Sequence, residues 1–537
     1  MKNLLAACFS FCCLFAGAQV YTITSYGAVG NGSTLSTVAI QAAIDSCFNN
    51  GGGVVRIPPG NFLTATVFLK SNVTLLIDSG ATITGSGNTS DYPDVVPGLR
   101  SYTDNYPQRS VFYAEGQHNI AITGKGTFNG NGLSSSFFTD RNNRPYGFRF
   151  ISCTNIRYEG VALRTSGFWM MHNQDVDTLV IKNVSIINQN TGNGDGLSID
   201  GCRHVVIDSC TADCNDDALV IKTTWPGLCS DVVISNCVLS SYSRAIKIGT
   251  ETNGAFSNIH ISDITVQLSN TAPIAAKCGI NLAIVDGGSM ENVVVENVNM
   301  TGIKVPLMIR LGNRARNYSD TAAAPGIGTV RNLELKNITA VAGTNVTSTI
   351  TGIPGHYASD IALRNIDITF PGGQPAASSG FVLPENVAAG PEATIFGDTI
   401  PASGLYLRHV DSVLLQNVCF HSLQYDYRPT IITEDVPNFD SLQVCIISSV
   451  AQNISKLPVF AVYPNPATGY DNWHIKLDED WKGSILIVTD ASGRRLRQQV
   501  VAENITIVSS QGFAKGVYFF TLTNPLGDVI SARAIRQ

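Results

Sequence analysis

The chain reads as an all-β protein, a right-handed parallel β-helix followed by a small C-terminal β-sandwich. Two observations carry that expectation. From about residue 119 to 420 a short strand recurs: a polar residue, alternating apolar residues, then Asn, Asp or Ser-Cys and a second apolar group. Beyond about residue 452 the recurrence stops and period-two strands take over. Composition agrees, because 49 glycines and only 14% charged residues among 537 point to many tight turns, and 44% hydrophobic residues supply a large core. The net charge of −6 gives no polyelectrolyte attraction to a nucleic acid or an anionic membrane, so no nucleic-acid partner is expected.

The elements follow in chain order. Met1-Lys2-Asn3 is a short positive start, residues 4–15 are apolar, and Ala16-Gly17-Ala18 is a small-residue cleavage site; residues 1–18 therefore read as a secretory signal peptide. The run is shorter than the roughly 20 apolar residues of a membrane span, and no transmembrane segment is expected. Leu5-Ala6-Ala7-Cys8 looks like a lipoprotein box, but too little apolar sequence precedes it for lipidation. Residues 19–452 then form the β-helix domain and 456–537 the tail domain. Cys8, Cys12 and Cys13 leave with the signal, and the other cysteines enter a compartment where disulfides form, although spacing selects no pair.

Val38, Ile40, Ala43, Ile44 and Phe48 have helical spacing over residues 37–49, ahead of Gly51-Gly52-Gly53 and the strand Val54-Val55-Arg56-Ile57. A helix there would cap the open end of a stack and cover its strand edges. The copies of the repeat begin at Asn119, Asn155, Thr178, His204, Asp231, Asn258, Asn292, Asn332, Asp360 and Ser412, mostly about 23 to 40 residues apart, a solenoid period. Each is too short to bury its own apolar face, whereas stacked copies share one core. Cys210 and Cys237 hold the same place in consecutive copies, which predicts an internal ladder of thiols; the close Cys and His pairs of a zinc site are missing. Triplets such as Asn183-Val184-Ser185 and Asn337-Ile338-Thr339 suit tight bends rather than glycosylation. Loops within residues 100–146, around the copy that begins at Asn119, and within residues 372–401 are expected to shape a cleft.

Asp195 lies about one solenoid turn before Asp216 and Asp217, so the three carboxylates should lie side by side on adjacent rungs about 4.8 Å apart. Two like charges about 4 Å apart at an effective dielectric near 20 repel by about 4 kcal/mol, enough to keep one carboxyl protonated near neutral pH. A proton donor for a leaving oxygen beside a carboxylate that activates water is the equipment of glycoside hydrolysis. The competing reading is that these aspartates cap turns or hold Ca²⁺.

The runs Tyr26-Gly27-Ala28-Val29-Gly30-Asn31-Gly32 and Gly51-Gly52-Gly53-Val54-Val55-Arg56-Ile57-Pro58-Pro59-Gly60 look like the start of pectin-acting β-helix proteins. Asn193-Gly194-Asp195-Gly196-Leu197-Ser198-Ile199-Asp200 and Asn215-Asp216-Asp217-Ala218-Leu219-Val220-Ile221-Lys222 resemble the two acidic motifs of glycoside hydrolase family 28, the polygalacturonases and rhamnogalacturonan hydrolases. That resemblance implies an inverting hydrolase of pectin-type polysaccharide with Asp216 as acid, Asp195 and Asp217 as base pair, and no metal or cofactor. Trp169 and His172 resemble the family's aromatic and histidine lining of the cleft, and Lys222, Arg244 and Lys247 would put cations beside the acids to bind a uronate or tune the aspartates; with Asn193 these make the expected substrate-binding set, and Arg310 and Arg314 are expected to extend the cleft. Two departures point away from plain polygalacturonate: Ser243-Arg244-Ala245 replaces the family's Gly-His-Gly, and Gly279-Ile280-Asn281 replaces its Arg-Ile-Lys. A rhamnogalacturonan or a substituted galacturonan is expected instead. The alternatives are a lyase or epimerase using Ca²⁺ with Arg244 or Lys247 as base, and a non-catalytic glycan-binding β-helix.

The tail begins Val462-Tyr463-Pro464-Asn465-Pro466-Ala467 and continues in alternating strands. It resembles the C-terminal sorting domain of the Bacteroidetes type nine secretion pathway, which implies the outer-membrane secretion machinery as partner and a secreted or surface-bound product. A carbohydrate-binding module would want a row of exposed aromatics, which Trp473, Trp481 and Tyr518 do not supply. The chain is expected to act as a monomer.

Overall fold

The recurring motif folds as stacked parallel strands. Ile156, Leu179, Val205, Val232, Ile259, Val293, Leu333, Ile361 and Val413 pair in register from rung to rung, and all lie in one continuous core. The computed structural model describes residues 19–103, 108–190, 192–269, 276–448, 460–463, 467, 472–477, 481–503, 505–524 and 529–536, so the expected signal peptide lies outside the described residues. The chain divides into two compact units, Met1–Val450 and Ala451–Gln537.

The polar residue that opens each copy has a conformational job. The ten openers from Asn119 to Ser412 have φ between 53° and 64°, the left-handed region that Asn and Asp tolerate best among residues with a side chain. A second bend in the rung uses the same device, and there the amides stack: Asn337 donates to Asn297 at 2.9 Å, Asn365 to Asn337 at 2.8 Å and Asn417 to Asn365 at 3.0 Å. These asparagines are conformational and ladder residues, which accounts for the triplets around Asn183 and Asn337.

Among the described residues a 12-stranded parallel sheet runs from Val67–Phe68 to Ile431–Glu434, and a 22-stranded assembly makes the remaining walls. The helix Thr37–Asn49 forms as expected, but its buried face is Ala39, Ile40, Ala43, Ile44 and Cys47. Val38 and Phe48, counted in the apolar face from spacing, are exposed at its two ends. Cys210 and Cys237 are buried as unpaired thiols on consecutive rungs, and Cys419 and Cys445, cross-strand neighbours near the end of the stack, form a disulfide.

The second unit holds a three-stranded and a four-stranded antiparallel sheet. Trp473, Ile475, Leu486, Val488, Phe520 and Leu522 from both sheets share its core, so it is a small sandwich. Trp473, Trp481 and Tyr518 are buried in it and form no surface row.

Candidate active site

The acid trio is built by register. Within the 12-stranded sheet, Leu197–Asp200 pairs with Leu219–Thr223, which pairs with Arg244–Thr252. The backbone N–H of Met170 donates to Asp195 O at 2.9 Å, Gly196 to Asp217 O at 2.9 Å and Ala218 to Arg244 O at 3.0 Å, placing Asp195, Asp217 and Arg244 one above the next. The glycines of the first motif are steric requirements. A Cβ on Gly194 would lie 2.1 Å from Asn215 Oδ1, and one on Gly196 would lie 2.6 Å from Cys214 Sγ. Asn188 ties its amide to Asp195 O at 2.8 Å and fixes the loop from inside.

One carboxylate oxygen from each of Asp195, Asp216 and Asp217 lies within 4.8 Å of the others. Asp195 and Asp217 are 3% exposed and Asp216 is half-buried, so Asp216 is the member open to solvent. Three cations surround them, all buried: Lys222 Nζ lies 3.1 Å from Asp195, Lys247 Nζ 2.5 Å from Asp217, and Arg244 Nη1 3.8 Å from Asp217. Buried charges of this kind are tolerable only when paired. Behind them Glu251, also buried, faces Lys222, Lys247, Arg314 and Arg316.

This setting separates the carboxyls. Burial pushes Asp195 up to about 8, against the pull of Lys222 and with help from Asp216 and Asp217. Burial and then the Asp217 charge push Asp216 up. Burial opposes ionisation of Asp217 too, but Lys247 and Arg244 outweigh it and hold that group below the usual carboxylate range. Asp217 therefore carries the charge near neutral pH while a proton remains on its neighbours. By spacing alone the trio could ligate a divalent cation, but ammonium groups already occupy Asp195 and Asp217. In the second acidic group, Asp367, Cys419 and His421, the thiol is consumed by the disulfide.

The rest of the expected binding set divides. Asn193 is half-buried and accepts from Arg144 Nη2 at 3.1 Å. Trp169 and His172 are buried. The Trp169 ring face is covered by Lys222 Nζ at 3.5 Å from the centroid, so that face is not open to a sugar. His172 stacks with Tyr146 at 5.5 Å, and its Nε2 lies 3.0 Å from Asp200; burial lowers its pKa. Arg310 does not extend the cleft, and Arg314 is committed to a protein carboxylate. Arg310, 1% exposed, donates to the carbonyls of Gly352, Glu385 and Asn386, and Arg314 clamps Asp286. Sequence reasoning assigned no role to Glu251, although a carboxylate on the same strand as Arg244 and Lys247 could have signalled it. It also missed Glu392, which pairs with Arg244 from a stretch with no periodicity.

Residues 47–385 match the family model described as glycosyl hydrolases family 28. The chain belongs to glycosyl hydrolases family 28. Residues 461–535 of this family 28 chain match the model of a secretion system C-terminal sorting domain. The chain is 41% identical over 126 residues to the exo-poly-alpha-D-galacturonosidase of Dickeya chrysanthemi, covering 22% of this chain but only 20% of that protein. It is 25% identical over 377 residues to a "Probable polygalacturonase" of Vitis vinifera, covering 65% and 74% of the two chains. The family 28 exopolygalacturonase of Yersinia enterocolitica superposes with a TM-score of 0.57 at 17% identity, covering 81% of this chain and 79% of that one, which shows the shared fold. Among the described residues no helix is long and apolar enough to cross a membrane.

Proposed function

We propose that this protein is an exported glycoside hydrolase that cleaves glycosidic bonds of a pectin-type polysaccharide at the Asp195–Asp216–Asp217 trio. The observation that carries the reading is the split within the trio: one carboxyl held ionised by Lys247 and Arg244, and its neighbours held up by burial. Asp216, the most exposed and pushed up, is the general acid that protonates the leaving oxygen. Asp217 supplies the negative charge that draws a proton from water, whereas Asp195, which keeps its proton near neutral pH, can only position that water. The family and the relatives' names support a galacturonan backbone. The Ser243-Arg244-Ala245 and Gly279-Ile280-Asn281 departures, with the binding cations already paired to protein carboxylates, favour a rhamnogalacturonan or substituted galacturonan over the plain polymer. The sorting-domain match and the signal-like start support export to the cell surface or beyond.

Elimination fits the site less well. Arg244 and Lys247 are both committed to ion pairs with protein carboxylates, and a base for β-elimination must offer a free lone pair to a proton. Product analysis on a panel of pectic polymers tests the reading: new reducing ends without an unsaturated uronate chromophore are expected, and a chromophore would make the protein a lyase.

A second reading concerns stereochemistry. Separations of about 6.5–9.5 Å accompany inversion and about 5–5.5 Å retention, and oxygens within 4.8 Å lean toward retention. The family 28 resemblance, which implies an inverting hydrolase, favours inversion. The anomeric configuration of the first product, read by NMR, decides: the inverted anomer is expected, and the retained anomer would make one of the aspartates a nucleophile.

A further inference from the structure

Residues 381–402 cross the outward face of the 12-stranded sheet, and the sheet holds them there. Buried Arg310 donates to Glu385 O and Asn386 O, each at 3.0 Å, and Arg408 donates to Leu383 O at 3.1 and 3.0 Å. Asn281 donates to Pro391 O at 3.1 Å, and the Asn313 N–H donates to Val387 O at 2.7 Å. Ala393 packs against Cys278, Val305 and Met308. Donors from several rungs thus fix the backbone on both sides of Glu392. Its own side chain is 55% exposed and pairs through Oε1 with Arg244 Nη2. Arg244 therefore spans from Asp217, 3.8 Å away, to a carboxylate facing solvent.

We propose that Glu392 is a specificity-determining residue that keeps uronate carboxylates off Arg244, so that the sugar bound at this edge of the trio is neutral or esterified. The proposal rests on the trio being the hydrolytic site. Lys222 and Lys247 each hold a trio carboxylate, which leaves Arg244 as the trio cation with a side turned outward, and Glu392 fills that side. A free uronate arriving there must displace a carboxylate tethered within reach or sit beside its like charge, whereas a neutral hydroxyl or ester meets neither penalty. Glu392 lies 148 positions from Arg244, so the discrimination is supplied by a loop separate in sequence from the acidic motifs.

The test compares wild type with Glu392→Gln, which keeps shape and removes charge, and Glu392→Asp, which keeps charge. Oligogalacturonate and its fully methyl-esterified form are the probes. Glu392→Gln should raise kcat/KM for the free acid relative to the ester at least ten-fold, mostly through KM, while Glu392→Asp should retain the wild-type preference. A binding arm independent of turnover uses calorimetry with the same probes on Asp216→Asn and on Asp216→Asn/Glu392→Gln. The added change should tighten the acid at least ten-fold and leave the ester unchanged. An equal gain for both probes, or a gain for neither, overturns the proposal. If Asp216→Asn still turned over substrate, the catalytic reading would fail while the binding arm still judged Glu392.

Discussion

Asp217 can serve as the charged member of the trio only because Lys247 and Arg244 face it, and this makes the pH dependence of activity a statement about individual residues. Asp217 is held below the usual range, so its charge persists into acid; Asp216 is pushed up, so it holds the leaving group's proton beyond the usual carboxylate range and gives it up only as pH rises further. Activity should hold where Asp217 is ionised and Asp216 still protonated, and fall on the alkaline side as Asp216 ionises. Lys247→Met removes a cation that lowers Asp217, so the acid limb should move to higher pH and kcat should fall; a pH–rate profile with an unmoved acid limb would separate Lys247 from the mechanism. The trio and its cations were legible because one solenoid turn separates the motifs, and a period fixes adjacency. Glu392 was not legible, since its position depends on buried guanidiniums, Arg310 and Arg408, gripping a loop that carries no period.

A rung is stable as an element because its corners are pre-set. Asn337 has φ 55°, donates to Asn297 and accepts from Asn365. Asn337→Ala should cost about 2 kcal/mol, from the left-handed backbone and the broken ladder, while Asn337→Gly should cost about 1 kcal/mol because only the amide bonds are lost. Denaturant unfolding of the two variants checks the order; an alanine variant as stable as the glycine one would mean that the corner is not strained. The strands themselves were readable from alternation. The helix Thr37–Asn49 was readable in extent but not wholly in face: Val38 and Phe48 fit the spacing, yet the neighbouring strands cover only the side that carries Ala39, Ile40, Ala43, Ile44 and Cys47.

For the whole molecule, stability and delivery fall to different parts. The Cys419–Cys445 disulfide closes a separation of 26 residues across the last rungs of the stack, so Cys445→Ser should cost about 3 kcal/mol. Thermal unfolding with and without reductant checks this: reductant should lower the midpoint of wild type and leave the variant where it is. The unit Ala451–Gln537 contributes no residue to the trio, so a chain ending at Val450 should hydrolyse at an unchanged rate when purified and should fail to reach the cell surface. The pairing itself was beyond the sequence, because it depends on which two of the cysteines the rungs bring opposite each other on adjacent strands, and those are the half-buried Cys419 and Cys445. The central claim is that Asp216 delivers the proton that breaks the glycosidic bond. Reducing-end release by folded Asp216→Asn, measured beside wild type on the pectic polymer that wild type cleaves best, tests it most directly. A loss of at least about 100-fold is expected, and near-normal release would contradict the assignment.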